Sequence, residues 1–202
     1  MDLVLAWIDQ TTQALEDAQA AYISLSNDNR FKFSFHRAGK GLAEVKAVLE
    51  HIKSLLIERQ SQGGDATSGR KSLRNCKDAA DKSTRVFDHV ARAPEDARLK
   101  EYYIYLAHQG LGERVEVLVK EMMQLVCDLA QQVGIKECIK EKLEELEWQI
   151  AKLEEELEAL SQKEEKGGTI LGCQYNAKDL ATQFNNTGTG AQNNGTMLEK
   201  SG

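Results

Sequence analysis

Apolar residues recur at three- and four-residue steps along the first 133 positions of the chain. Leu5, Ile8, Leu15, Ala18, Tyr22 and Leu25 follow one such stripe, and Phe35, Ala38, Leu42, Val45, Leu49, Ile52 and Leu56 follow a second. That spacing places each set on one face of a helix. The segment SQGGDATSG (61–69) breaks the pattern and reads as a loop. Leu73, Cys76, Ala80, Ser83, Phe87 and Val90 form a third stripe, which Pro94 ends. Pro94-Glu95-Asp96 then suits a helix start, because the first turn favours proline and acids. Leu99, Tyr102, Tyr103 and Leu106 predict a short fourth helix, punctuated by Gly110-Leu111-Gly112. Val115, Leu118, Val119, Met122, Leu125, Val126, Leu129 and Val133 make the clearest amphipathic stripe. Residues 1–134 are therefore expected to fold as a helical bundle, long enough to bury a real core.

A different period follows over residues 135–166. Ile139, Leu143, Leu146, Ile150, Leu153, Leu157 and Leu160 alternate steps of four and three, an unbroken heptad seam with Leu143, Ile150 and Leu157 at a. Lys140, Lys142, Glu147, Glu154 and Glu156 fall at e and g. The seam has two possible partners: another chain, or the chain's own bundle, by folding back or by extending the last bundle helix. The second is favoured. Trp148 falls at f, off the seam, which points to a further surface packed on this helix.

Charge separates the same three parts. Residues 1–134 carry 18 basic and 19 acidic side chains, and residues 135–166 carry 6 and 11. Residues 167–202 carry two of each and are otherwise rich in Gly, Asn, Gln and Thr, so a disordered tail is expected there. The tail holds a repeat. Gln174-Tyr175-Asn176, Gln183-Phe184-Asn185-Asn186 and Gln192-Asn193-Asn194 start nine residues apart, with Gly172, Gly188, Gly190 and Gly195 around them. Asn and Gln side chains form amide ladders when like strands stack in register at the ~4.8 Å cross-β spacing. Tyr175 and Phe184 have the shape to stack likewise, and low net charge without proline removes the usual obstacles. The tail is thus read as amyloid-prone, and these residues as its self-assembly motif.

Composition excludes other classes. Proline occurs once, where average usage gives about ten, which agrees with an all-α chain. No apolar run is long enough to span a membrane. The opening MDLVLAWIDQ lacks a basic n-region and meets Asp9 too early for a secretory signal. Cys76, Cys127, Cys138 and Cys173 lie far apart and read as free thiols in a reducing cytosol. His36, His51, His89 and His108 are as scattered, so no metal site is expected. No cofactor is expected, and no catalytic residues. Gly110-Leu111-Gly112 lies between helices, not after a strand, and reads as a helix break; GxxxxGK[ST] is absent, so the chain does not carry the nucleotide switch. The acidic run 154–158 reads as a solvated coil face. Arg70, Lys71, Arg74, Lys77, Lys82 and Arg85 bias the third helix toward basic, but Asp78 and Asp81 interrupt them. A net charge of −6 without interleaved aromatics argues against nucleic acid as a partner.

The stretches 71–90 and 102–130 resemble the SesA-type N-terminal domain of fungal NACHT and other P-loop NTPases. Cys76-Lys77 and Val86-Phe87 match the family's third-helix pattern. Gly110 and Gly112 leading into Val115-Glu116 and Leu118-Val119-Lys120 match the later block. The resemblance covers roughly residues 3–132. The first helix departs from it, carrying Asp2, Asp9, Glu16 and Asp17 where family members are often more apolar. Residues 182–196, TQFNNTGTGAQNNGT, resemble the sigma amyloid motif of fungal signalosome proteins. Together the two resemblances imply a cytoplasmic effector or adaptor in heterokaryon incompatibility or programmed cell death. A NACHT-type receptor sharing the motif would template its assembly, and membrane contact would follow clustering. The alternatives are a coiled-coil scaffold with a passive tail, or the front part of a NACHT receptor.

Overall fold

The computed structural model describes residues 2–60 and 69–167 of the chain. Among the described residues six α-helices follow one another: α1 (Asp2–Ile23), α2 (Phe33–Gln60), α3 (Arg70–Ala91), α4 (Arg98–Gln109), α5 (Val115–Gln132) and α6 (Lys140–Gly167). Short 3-10 turns precede α4 (Glu95–Ala97), α5 (Leu111–Glu113) and α6 (Lys136–Ile139). Among the described residues there is no strand.

The amphipathic stripes explain the packing. Ile8, Leu15, Ala18 and Tyr22 of α1, the whole Phe35–Leu56 stripe of α2 and the Leu73–Val90 stripe of α3 are buried. Of the α5 stripe, Val115, Leu118, Val119, Met122, Val126 and Leu129 are buried, with Met123 and Ala130 beside them, and Leu125 is half-buried. These faces close a ring: α1 packs on α2 and α3, and α5 packs on the other sides of both. Each helix thereby buries its stripe against two neighbours, the simplest solution for four helices of this kind. α4 lies on α3, and α6 lies along the edge between α2 and α5. One detail of the first stripe differs from expectation. Val4, not Leu5, reaches the core, and Leu5 is half-buried. A stripe at 3.6 residues per turn drifts, so its first member is set by what α1 meets at that level.

Few aromatics suffice because they gather at one end. Phe31 and Phe35 stack at 4.2 Å between ring centroids. Phe35 also meets Phe87 edge-on at 5.6 Å and Tyr102 at 5.3 Å. Tyr22 joins at 5.5 Å from Phe87, so α1, α2, α3 and α4 share one aromatic cluster. Outside, the acids that set α1 apart meet lysines of α2: Asp9 pairs with Lys53 and Glu16 with Lys46.

The α5–α6 corner turns at Gly134, where φ is +68°, a value costly for residues with a Cβ. Its N–H donates to the Gln131 carbonyl at 3.0 Å, and the Ile135 N–H donates to Ala130 at 3.0 Å. From α2, the Arg59 guanidinium reaches across to donate to the Val133 and Gly134 carbonyls at 2.9 and 2.7 Å. Buried Ile135 and Ile139 complete the corner.

Candidate functional site

The motif residues Gln174, Tyr175, Asn176, Gln183, Phe184, Asn185, Asn186, Gln192, Asn193 and Asn194 lie outside the described residues. The seam residues lie inside them, against α5 and α2 of the same chain. Ile139, Leu143, Leu146, Leu153 and Leu160 are buried, while Ile150 and Leu157 are half-buried. The heptad seam is therefore occupied from within, and pairing it with another chain first requires α6 to leave its seat.

Polar side chains hold α6 along α2. Arg37 is the centre. Its Nε donates to Glu156 Oε1 at 3.1 Å and its Nη1 to Gln149 Oε1 at 3.1 Å. The guanidinium lies 4.9 Å from the Phe33 ring centroid and 5.6 Å from that of Trp148, a cation held between two aromatic faces. This accounts for Trp148 standing off the seam: its ring is half-exposed and serves Arg37. Further along α2, Glu44 Oε1 accepts from Gln149 Nε2 at 3.4 Å. The α2 sequence rises as the α6 sequence falls, so the two helices run antiparallel. On the α5 side, Lys120 pairs with Glu154 at 3.2 Å.

Truncating Arg37 to alanine removes two charge-assisted bonds and the ring contacts, together about 1–2 kcal/mol at this partly exposed position. Hydrogen exchange of α6 amides is expected to quicken roughly tenfold, with α1 and α3 protection unchanged. Equal loss in all helices would contradict a local role.

Glu44 sits above the usual glutamate range, first because burial disfavours its charge and then because Glu145 lies near; the Arg37 charge acts the other way. A carboxyl raised on folding holds its proton longer in the folded state, so its contribution weakens the fold as pH rises above about 4.5 through the folded value. Glu44→Gln is thus expected to stabilise the chain at pH 7, with the gain vanishing toward pH 4. Denaturant midpoints of both chains across that range test this; a gain independent of pH would assign it to something other than the charge.

The C-terminal part of α6 reaches a second feature, a buried polar node. Glu116, in the first turn of α5, is 3% exposed. Ser34 Oγ donates to its Oε1 at 3.1 Å and Tyr102 Oη donates to its Oε2 at 2.8 Å. The Val115 N–H donates to the Tyr102 oxygen at 3.4 Å. The Tyr102 hydroxyl is pushed well above its ordinary range by burial and then by the Glu116 charge. Buried Arg114 lies beside this node, and a cavity of about 20 Å³ lined by Phe31, Phe35, Tyr102, Arg114, Glu116 and Leu160 has room for one water-sized molecule. Leu160 of α6 closes one wall.

The remaining candidates resolve into structure. Cys76, Cys127 and Cys138 are free thiols. Burial pushes Cys76 up to about 12 and Cys127 up to about 11, which makes both poor nucleophiles. His36 bridges the Tyr22 hydroxyl and the Asp28 carbonyl, each at 3.1 Å. On α3, Lys77 pairs with Asp81 and Lys82 with Glu113, leaving Arg70, Lys71, Arg74 and Arg85 exposed. α4 stops at Gln109, and Gly110-Leu111-Gly112 is a turn between helices. Among the described residues, no group of three or more His, Cys, Asp or Glu is placed to hold a metal ion, and no helix is long and apolar enough to cross a membrane.

Sequence reasoning missed Arg37, Glu44 and the Glu116 node. The one available signal was Trp148 at an outward heptad position.

In comparison with known proteins, residues 8–129 match the family model for SesA, described as the N-terminal domain on NACHT_NTPase and P-loop NTPases. No curated protein and no solved structure matches the chain.

Proposed function

From the chain's membership of the SesA family, we propose that it is a cytoplasmic signalling effector or adaptor whose helical body is gathered by templated assembly of its tail. The observation that carries this reading is the nine-residue repeat of Gln-x-Asn triplets behind a SesA body. A NACHT-type receptor displaying a similar repeat would supply the template, a reading supported by the family's occurrence on NACHT NTPases. Heterokaryon incompatibility or programmed cell death is the setting proposed from the resemblance of the tail.

The mechanism is proximity. Linked modules gain effective concentrations in the millimolar range without any new contact. A fibre of tails would therefore hold the bodies together, and the gathered bodies are the signal. The exposed Arg70, Lys71, Arg74 and Arg85 of α3 would then present many basic groups at once, and anionic lipid attracts each with about 1 kcal/mol. Membrane contact after clustering belongs to this reading.

The family description also favours a second reading, in which the same body is the front part of an NTPase receptor. Seeding tests the first. Preformed fibres of a peptide covering residues 170–198, added to the dispersed full chain, are expected to convert it without a lag, as read by thioflavin fluorescence and sedimentation. A peptide that never forms fibres, or a chain that ignores them, would leave the tail a passive linker.

A further inference from the structure

α6 stands outside the ring of α1, α2, α5 and α3, which closes without it. We infer that α6 exchanges between neighbouring copies once they are gathered, so that the α2–α5 groove of one chain receives the α6 of the next. This deepens the clustering reading above and rests on it.

Three features carry the inference. First, the seat is only partly apolar. Ile150 and Leu157 are half-buried a positions, and the clasp depends on Arg37 and Lys120. Two buried carboxylate oxygens at this seat, Glu44 Oε2 and Glu156 Oε2, accept no hydrogen bond from the described residues. Such a seat opens more readily than the fully buried ring. Second, only residues 133–139 join α6 to α5, and their turn depends on Gly134, which is equally at ease in an extended conformation. Opening there straightens the corner, and every contact α6 made within the chain can be made again on a neighbour. Third, the groove selects its occupant. Arg37 and Lys120 require glutamates spaced as Glu156 and Glu154 are, beside a leucine-rich heptad stripe and an aromatic ring at Trp148. Over residues 140–162 the helix has eight glutamates against three lysines. A second copy carries the whole set.

Geometry explains why the exchange awaits assembly. In a dispersed chain the buried Ile135 and Ile139 and the Arg59 bonds keep the corner shut. In a fibre with one chain per rung, successive tails would lie ~4.8 Å apart. A body of ~160 residues is about 40 Å across. The first motif residue, Gln174, follows Gly167 by seven positions, a reach of at most about 25 Å. Bodies tethered so closely are pressed against one another, and a groove that can share its helix relieves the crowding.

The test uses full-length chains carrying Cys138→Ser and Cys173→Ser. One preparation also carries Lys120→Cys and another Glu154→Cys, positions whose side chains meet at 3.2 Å. Treated with a short bismaleimide, the dispersed mixture is expected to yield no covalent dimer above the unmixed preparations, whereas a chain with both cysteines links internally. After seeded assembly, mixed dimers should rise several-fold over like-with-like dimers. Normal thioflavin conversion without mixed dimers would overturn the exchange and leave clustering intact. Failure of the thioflavin signal itself would overturn clustering, and Gly134→Val then decides the exchange alone. A β-branched residue at positive φ should raise mixed dimers in concentrated dispersed chain roughly tenfold. Gly134→Asn, which tolerates that region, should behave as the parent. Loss of the parent's behaviour in both, or no mixed dimer in either, would count against the hinge.

Discussion

Replacing Asn185, Asn186, Asn193 and Asn194 with aspartate is expected to abolish templated assembly while the bundle stays folded. The proposed ladder puts identical side chains one strand spacing apart. Two unit charges ~4.8 Å apart repel by about 0.9 kcal/mol even at the permittivity of water. Four such ladders cost about 3.5 kcal/mol for each chain added, a factor of several hundred in affinity for the fibre end. Screening at physiological salt, with a Debye length of about 8 Å, roughly halves this. Lost amide bonds add to it. The expected result is therefore no seeded thioflavin signal at low salt and a weak, slow one near 1 M salt. Circular dichroism should be unchanged, because none of the four positions belongs to α1–α6. A variant that seeds as its parent does would contradict the ladder.

Removing the Glu116 carboxylate is expected to produce the largest loss of stability in the body. Glu116→Ala leaves the Tyr102 and Ser34 hydroxyls buried without their acceptor and takes a carboxylate from beside the buried Arg114. Breaking a buried charged network of this kind costs about 3 kcal/mol or more. For a chain of this length that lowers Tm by roughly 6–12 °C. Tyr102→Phe removes the bond given to Glu116 and the longer one accepted from the Val115 N–H, and should cost about 1–2 kcal/mol. The double variant should lose less than the sum, since a phenylalanine ring at that position needs no acceptor. Additive losses in the four-chain comparison would show that the two side chains do not act as a pair. Because Leu160 walls the same cavity, the loss should extend to the last described turns of α6.

The apolar stripes were readable because burial on a helix repeats every three or four residues, and the repeat survives in the sequence. Phe35 through Leu56 and Leu73 through Val90 are core positions in both readings. The seam at Leu143, Leu146 and Leu153 was readable for the same reason; the sequence favoured the chain's own bundle as its partner but left open folding back or extending the last helix, and the turn at Gly134 lays α6 back on α2 and α5. Its polar half was not readable. Arg37 meets partners 112 and 119 positions away, and nothing in α2 marks that arginine apart from the other cations of its face. Glu116 entered the sequence reading only as part of a pattern shared with a family. A single acid inside an apolar stripe gives no sign of burial, and its donors come from 14 and 82 positions away.

Local chemistry by itself thus determined that this protein is helical, where each helix shows its apolar face, and that a heptad seam and an amide-rich repeat follow the bundle. Those are properties of neighbours along the chain, set by steric periodicity and side-chain type. Only the tertiary structure decided which groove the seam fills, that Arg37 clasps α6 between two rings, and that a buried carboxylate ties α2, α4 and α5 together. These depend on groups brought together from distant positions, where burial and the loss of water give a charge its strength.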